Sequence, residues 1–402
     1  MGGGRVHIVS RGSVSGDEAR IGIRFSNIGF RLFPPPLPQG RGNSDFDNSP
    51  RERKVEFGSV KGWVDGMGGI TPMSSKLDHY SFVSIRGERV GDQVVSKVLV
   101  IVGPTGVGKT QVSLGLADIL NGEIVSLDSR QVYRYMDIGT AKPTKEEMKK
   151  VAHHLIDVVY PDEKFTAADY GKRTREVIKE ITKRKKQPVV VGGSGLYLKA
   201  LMKGFFEGPK ADEKIRERLK REESEFGPGY LYKKLKEVDP KAAQRIHPND
   251  SVRIIRALEV YELTGKPITL LQEEGDYQPF EMDFVKVGLT LDRKKLYEKI
   301  DRRVEKMISE GFLNEVKGLK EKGYSSGLKA FKTVGYQEFF NYLEGKIDFP
   351  SAIERIKLNS RHYAKRQLTW FKKDKEIKWL DAEKEDLIES ILNYFRVERL
   401  QS

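Results

Sequence analysis

The octapeptide Gly103-Pro104-Thr105-Gly106-Val107-Gly108-Lys109-Thr110 meets every fixed position of the pattern G-x-x-x-x-G-K-[ST]. Glycines there let backbone N–H groups close on phosphate oxygens with no Cβ in the way. A helix starting at such a loop directs the positive end of its dipole at the same oxygens. Lys109 adds a mobile positive charge, and Thr110 a hydroxyl suited to Mg2+. The chemistry is binding of a diphosphate or polyphosphate, as in nucleotide or ATP sites; the loop does not say which. A chance glycine-rich turn is the competing explanation. Context opposes it, because the apolar run Val98-Leu99-Val100-Ile101-Val102 precedes the loop and a helical pattern over residues 111–120 follows.

Two further segments have the same character. Asp128 directly follows a short apolar stretch at residues 123–127. Open α/β sheets bind ligands at the C-terminal strand edge, the edge that carries the phosphate loop. A carboxylate there can hold Mg2+ through water or take a proton from a nucleophile; equally, it can cap the segment that follows. Gly192-Gly193-Ser194-Gly195 closes a strand at 189–191, where the glycines either admit a ligand close to the backbone or make a tight turn. This strand does not end in the acidic residue that holds the metal in a general P-loop ATPase, which weighs against ATP hydrolysis.

Basic residues form two groups. Arg245, Arg253 and Arg256 lie in a helical region, the last two on one helix face. Arg355, Arg361, Lys365, Arg366, Lys372 and Lys373 mark a late helix with Tyr363, Trp370 and Phe371 among them. Cations can meet phosphates and rings can stack on bases; a solvated basic face over an aromatic core stripe would look the same. The six histidines show no metal-ligand spacing, and the pair His153-His154 would point different ways on a helix, which makes it structural.

The elements that position these residues alternate. Strands at 98–102, 123–127 and 189–191, with helical stretches between them, predict an α/β fold with a parallel sheet. Strand character vanishes over residues 210–275. Helices are expected there at 212–225, 230–238 and 251–263, making a helical insertion. A strand returns at 284–290, and helices follow at 293–310 and 352–373. The domain reading is therefore a P-loop α/β core over 97–209, the insertion over 210–275, and completion of the core with C-terminal helices over 276–402.

Residues 1–96 differ. The stretch Pro34-Pro35-Pro36-Leu37-Pro38 and abundant glycine leave no sustained periodicity, so an extended or disordered segment is expected. Three readings compete: an organelle transit peptide, since the first 33 residues are rich in arginine and poor in acid; a disordered arm that touches nucleic acid; or a start placed too early, with Met67 or Met73 as later starts. The last is favoured.

Across 402 residues the net charge is +14, which points to an anionic partner. Cysteine is absent, excluding disulfides, thiolate metal sites and cysteine nucleophiles. No apolar run is long enough to cross a membrane.

In combination the chain resembles the tRNA dimethylallyltransferases, also called tRNA isopentenyltransferases. The resemblance rests on GPTGVGKT at 103–110, DSRQVYRYMDIGTAKP at 128–143, HHLIDV at 153–158, FTAADY at 165–170, GGSGLYLKAL at 192–201, DPKAAQRIHPNDSVRIIRALEVYELTGKP at 239–267, VGYQEF at 334–339 and AKRQLTWF at 364–371. It covers the chain from about Lys97 onward and implies a P-loop NTPase-like core with an inserted all-helical tRNA-binding domain. The implied reaction moves a dimethylallyl group from dimethylallyl diphosphate to N6 of the adenine on the 3′ side of the anticodon, position 37. The loop, with Mg2+ at Thr110, would then hold a leaving diphosphate. Asp128 matches the family's catalytic aspartate, Lys109 and Thr110 its loop residues, and Arg303 an arginine expected near the diphosphate. Asp128, Ser129, Arg130 and Gln131, together with Val252, Arg253, Ile254, Ile255 and Arg256, match tRNA-contact segments, and Ser194 a single contact. Ser194 replaces the usual threonine and keeps the hydroxyl. Lys332 stands where an arginine can occur, keeping charge and losing the two-pronged geometry.

The insertion would clamp the anticodon stem-loop of the tRNA. A monomer is expected, in the cytoplasm, or in a mitochondrion or plastid if residues 1–96 are a transit segment. The alternatives are a P-loop kinase of a small metabolite, an enzyme that prenylates free adenine nucleotides, and a non-catalytic RNA-binding protein.

Overall fold

The computed structural model describes residues 97–205, 208–275 and 279–400. The polyproline stretch, the transit reading and the later starts at Met67 and Met73 lie outside the described residues.

Six strands form one sheet, entirely parallel: β1 (Lys97–Val102), β2 (Gly122–Leu127), β3 (His153–His154), β4 (Gln187–Gly192), β5 (Asp283–Thr290) and β6 (Lys378–Asp381), in the order β3-β2-β4-β1-β5-β6. Strand β1 is buried throughout, as its continuous apolar run requires. Its side chains alternate between two cores. Val98, Val100 and Val102 pack on one face, Leu99 and Ile101 on the other.

Helices α1 (Lys109–Ile119), α2 (Lys145–Lys150), α3 (Ala167–Lys183) and α4 (Gly195–Lys203) connect the first strands. The first face is covered by α3 and α4 through Ile178, Ile181, Leu198 and Leu201. The second is covered by α1 and by elements from the end of the chain.

Five helices then interrupt the sheet: α5 (Glu213–Phe226), α6 (Tyr230–Val238), α7 (Pro240–Arg245), α8 (Ser251–Thr264) and α9 (Ile268–Glu274). They share their own apolar cluster, including Leu219, Leu231, Leu235, Ile254 and Leu258. Asp250 caps α8 by accepting from the Arg253 N–H at 3.2 Å, and Gly265 at φ 67° ends it.

After β5 come α10 (Arg293–Ser309), α11 (Phe312–Glu321), α12 (Tyr336–Leu343), α13 (Phe349–Phe371) and α14 (Leu387–Leu400). A third cluster joins α10–α13 to the 132–136 segment through Val132, Met136, Val304, Phe312 and Phe339.

Two edge strands escape the sequence pattern. His153-His154 is a two-residue strand against Ile124 and Val125, not part of a helix. His154 Nε2 pairs with buried Glu123 at 2.7 Å, and His153 Nδ1 lies 2.8 Å from the Val151 carbonyl. Strand β6 pairs with Val287–Thr290 of β5. Both are too short to show a period. No helix among the described residues is long and apolar enough to cross a membrane.

Candidate active site

At the C-terminal edge of β1, β2 and β4 lies a cavity of about 600 Å3. The phosphate loop forms one wall. Gly106 at φ 80° and Gly108 at φ 100° make the turn, in a backbone region that side chains disfavour. Thr105, Gly106, Gly108, Lys109 and Thr110 line the cavity. Val107 instead turns into the core, 2% exposed. Gly103 and Pro104 contribute carbonyls: Lys109 Nζ donates to them at 2.9 and 2.8 Å. Burial pushes the Lys109 ammonium down to about 7, the Arg303 charge adds to this, and Asp128 opposes it.

Asp128 ends β2 and faces the cavity. Its Oδ1 accepts the Arg130 N–H at 2.7 Å and more distantly that of Gln131 at 3.4 Å, so it caps a turn of its own loop. No helix begins there; the next is α2. The capping and ligand-facing readings of this aspartate therefore hold together. Arg303 comes from α10 and senses the Asp128 charge; burial lowers its pKa and Asp128 raises it.

The remaining DSRQ residues have distinct positions. The Ser129 N–H donates to Ser194 Oγ at 3.1 Å, joining the ends of β2 and β4. Arg130 Nη1 reaches the Lys329 carbonyl at 3.1 Å. Gln131 braces the loop from within: its Oε1 accepts from Ser126 at 2.8 Å and its Nε2 donates to the Ala141 carbonyl at 3.1 Å.

Among the described residues that line the cavity, Asp128 is the sole carboxylate, facing the cations Lys109, Arg130, Lys299, Arg303, Lys332 and Arg366. Ile300, Val304, Met307, Phe312, Val334 and Ile356 make its apolar side. The cavity thus offers a place for concentrated negative charge, an apolar wall and one base.

Helix α8 places the VRIIR segment away from this cavity. Val252 is 81% exposed, and exposed Arg253 lies 3.1 Å from Asp250. Ile254 and Ile255 point into the insertion's core, 2% and 7% exposed, so their side chains support the helix and present nothing to a ligand. Arg256 does not share an open cationic face with Arg253. It donates to fully buried Glu259 at 2.7 Å and to the Pro209 carbonyl at 2.9 Å. Glu259 also receives Arg216 and the Asp212 N–H.

Three residues around the cavity have roles that the sequence reading does not give. Gln367 of α13 accepts the Thr105 N–H at 2.9 Å and donates to the Gly193 carbonyl at 3.0 Å, tying the phosphate loop to the end of β4. Tyr363, one turn earlier, hydrogen-bonds Ser194; burial and the nearby Asp128 charge push its phenol up to about 12. Glu315 of α11 accepts the N–H groups of Asp137, Ile138 and Gly139 at 2.9, 2.7 and 3.2 Å, and so holds the loop that braces Gln131. Gln367 and Tyr363 had a signal, a helical spacing within a basic–aromatic stretch. Glu315 had none, because its partners lie far off in the chain.

Residues 131–374 match the family described as IPP transferase. A tRNA dimethylallyltransferase of Thermotoga maritima is 50% identical over 293 residues, 72% of this chain and 94% of the relative. The chain belongs to the IPP transferase family. Among solved structures, the full-length tRNA isopentenylpyrophosphate transferase of Bacillus halodurans is similar at 43% identity and TM-score 0.56, over 75% of this chain and 96% of that one. A eukaryotic dimethylallyltransferase described as acting on tRNA is similar at 32% identity and TM-score 0.59, over 72% of this chain and 74% of that one. These neighbours share the parallel α/β, P-loop NTPase-like fold, and membership of the IPP transferase family makes the chain an enzyme of the transferase class.

For a magnesium ion this IPP transferase offers the Thr110 hydroxyl and the Asp128 carboxylate, and the described residues contain no cluster of three or more acidic or histidine ligands. Such a sparse set of hard oxygen donors fits an ion held chiefly by phosphate oxygens and water. Bound there, it would neutralise charge on a diphosphate oxygen.

Proposed function

We propose that the chain transfers a dimethylallyl group from dimethylallyl diphosphate to N6 of the adenine on the 3′ side of the anticodon in tRNA, position 37. The observation that carries this reading is Asp128, the single carboxylate among the described residues that line the cavity, set among cations beside the phosphate loop. A kinase cavity needs to hold a triphosphate. A prenyl donor needs a diphosphate site, an apolar wall for five carbons, and a base that serves the acceptor.

The allylic C–O bond breaks with its electron pair going to the diphosphate. Loop N–H groups, Lys109 and Arg303 face that growing negative charge. The N6 lone pair forms the new C–N bond. An adenine amino group is a weak nucleophile because its lone pair is delocalised into the ring. Asp128 accepts a hydrogen bond from N6 and takes its proton as the bond forms. Water is kept from the allyl group by the wall of Ile300, Val304, Met307 and Phe312.

The adenine lies in an anticodon stack and must be extruded to reach Asp128. The exposed Val252 and Arg253 of α8 are the insertion's contribution to gripping the stem-loop. The working unit in this reading is a monomer. The bacterial relatives support a cytoplasmic setting.

Mass spectrometry of unmodified tRNA incubated with protein, Mg2+ and dimethylallyl diphosphate, with AMP, ATP and an RNA-free control run beside it, tests the reaction. Prenylated adenosine at that one position is expected. Prenylated AMP with unchanged tRNA would replace the acceptor with a free nucleotide, and ATP turnover without RNA would replace the reaction with a kinase.

A further inference from the structure

One face of α13 carries more than the chemistry above uses. Ile356, Ser360, Tyr363 and Gln367 succeed one another at three- and four-residue intervals and line the cavity. Arg366 also lines the cavity, and Trp370 follows it four residues on, against Gly195, two residues past the cavity-lining Gly193.

Arg366 lines the cavity, is exposed, and holds its guanidinium 5.8 Å from the centre of the Tyr363 ring. No carboxylate among the described residues lies within ion-pair distance of it. Trp370 is 41% exposed, whereas its neighbour Phe371 is 2% exposed in the core. The indole lies on Gly195, where a Cβ would come within 2.0 Å of it. Gly195 opens α4 immediately after Ser194, whose hydroxyl joins Ser129 to Tyr363. Leu196, next to Gly195, is 48% exposed. Two rings, a cation without an ion-pair partner among the described residues and an apolar side chain thus lie close together along α13 and the start of α4.

We propose that Tyr363, Arg366 and Trp370 form a contact surface for single-stranded RNA, on which the base flanking the reacting adenine stacks against Trp370 while Arg366 meets its phosphate. The proposal rests on tRNA as the acceptor. Extruding one base from a stack exposes the faces of its neighbours. A ring at the rim covers such a face for any base, and an adjacent cation tracks the backbone. A duplex offers no free base face, so the strip fits a loop rather than a stem.

The test uses the full chain, an unmodified tRNA, and the same tRNA with an abasic residue beside the target adenine. Arg366→Gln and Trp370→Leu should each raise the Kd and KM for tRNA about tenfold, and Trp370→Leu should leave the KM for dimethylallyl diphosphate unchanged. Arg366→Gln should reduce the slope of log Kd against log salt by about one. Trp370→Phe should restore most of the affinity. The abasic tRNA should bind the wild type weakly and Trp370→Leu no more weakly still. Tryptophan fluorescence should fall on tRNA binding in the wild type and fall less in Trp370→Leu. Kd values within twofold of a tRNA-modifying wild type in both variants would overturn the proposal. So would a Trp370→Leu defect shared equally by tRNA and donor, which would make the indole a mere cover for Gly195. A wild type that neither binds nor prenylates tRNA would overturn the acceptor assignment itself, and this strip with it.

Discussion

Cations in the cavity and cations in the helical insertion differ in what neutralises them. In the insertion half of the cations meet acids, among them Arg216 and Arg256 with Glu259, Arg218 and Lys234 with Glu222, Arg253 with Asp250, and Lys241 with Glu273, while others such as Lys214, Lys220 and Arg245 make no ion pair among the described residues. In the cavity Lys109, Arg130, Arg303, Lys332 and Arg366 have no ion-pair partner among the described residues; only Lys299 does, at 3.3 Å from Glu383. Like charges gathered without counter-charges repel one another, and a fold keeps them so where a ligand supplies the anion. Net charge therefore marks a partner, and unpaired cations gathered around one cavity mark a place for it.

Removing the cavity's one carboxylate is the strongest way to break this comparison. Asp128→Asn should lower kcat by about a thousandfold, the scale of a lost general base, with the Kd for tRNA within twofold. A variant that keeps full activity would show that neither the charge nor the basicity of Asp128 serves the reaction.

Lys109 gives the next effect. With its ammonium pushed down to about 7 in the free site, the charged form dominates below pH 7 and is lost above it. An anion selects the charged form. The Kd for inorganic diphosphate should thus be flat below pH 7 and weaken by up to about tenfold per unit above it. Measured against Lys109→Met, which cancels titration of the ligand, this pH-dependent difference should vanish by high pH. A constant difference across pH would mean that the lysine stays charged.

Gln367→Glu keeps the acceptor for the Thr105 N–H but replaces the donor to Gly193 with an anion beside the diphosphate site. The KM for dimethylallyl diphosphate should rise about tenfold, an unsatisfied buried contact, while the KM for tRNA holds. Equal losses for both substrates would make Gln367 a general prop.

The smallest effects lie in the insertion. Arg256→Ala should cost about 1–2 kcal/mol in denaturant unfolding because Glu259 loses one of two arginines. Arg253→Ala should leave stability alone and weaken tRNA binding a few-fold. If the two variants exchanged these effects, the contrast between an arginine paired to a buried acid and one paired at the surface would fail.

The chain itself was enough to read the phosphate loop, Asp128, the parallel core and the helical insertion. Each is local: a glycine pattern, a residue at a strand end, a run of one periodicity. The short β3 and β6 were not legible, because two and four residues carry no period. Nor were Gln367 and Glu315, whose partners in the phosphate loop and in the 137–139 segment lie 262 and at least 176 residues away. The VRIIR segment shows the boundary most clearly. Its sequence puts Arg253 and Arg256 on one helix face, yet buried Glu259 draws Arg256 inward and leaves Arg253 to solvent. Spacing decides which side chains can share a face. Only the tertiary structure decides which of them meet a buried counter-charge, because burial and the long-range contacts that create it are properties of the packed chain.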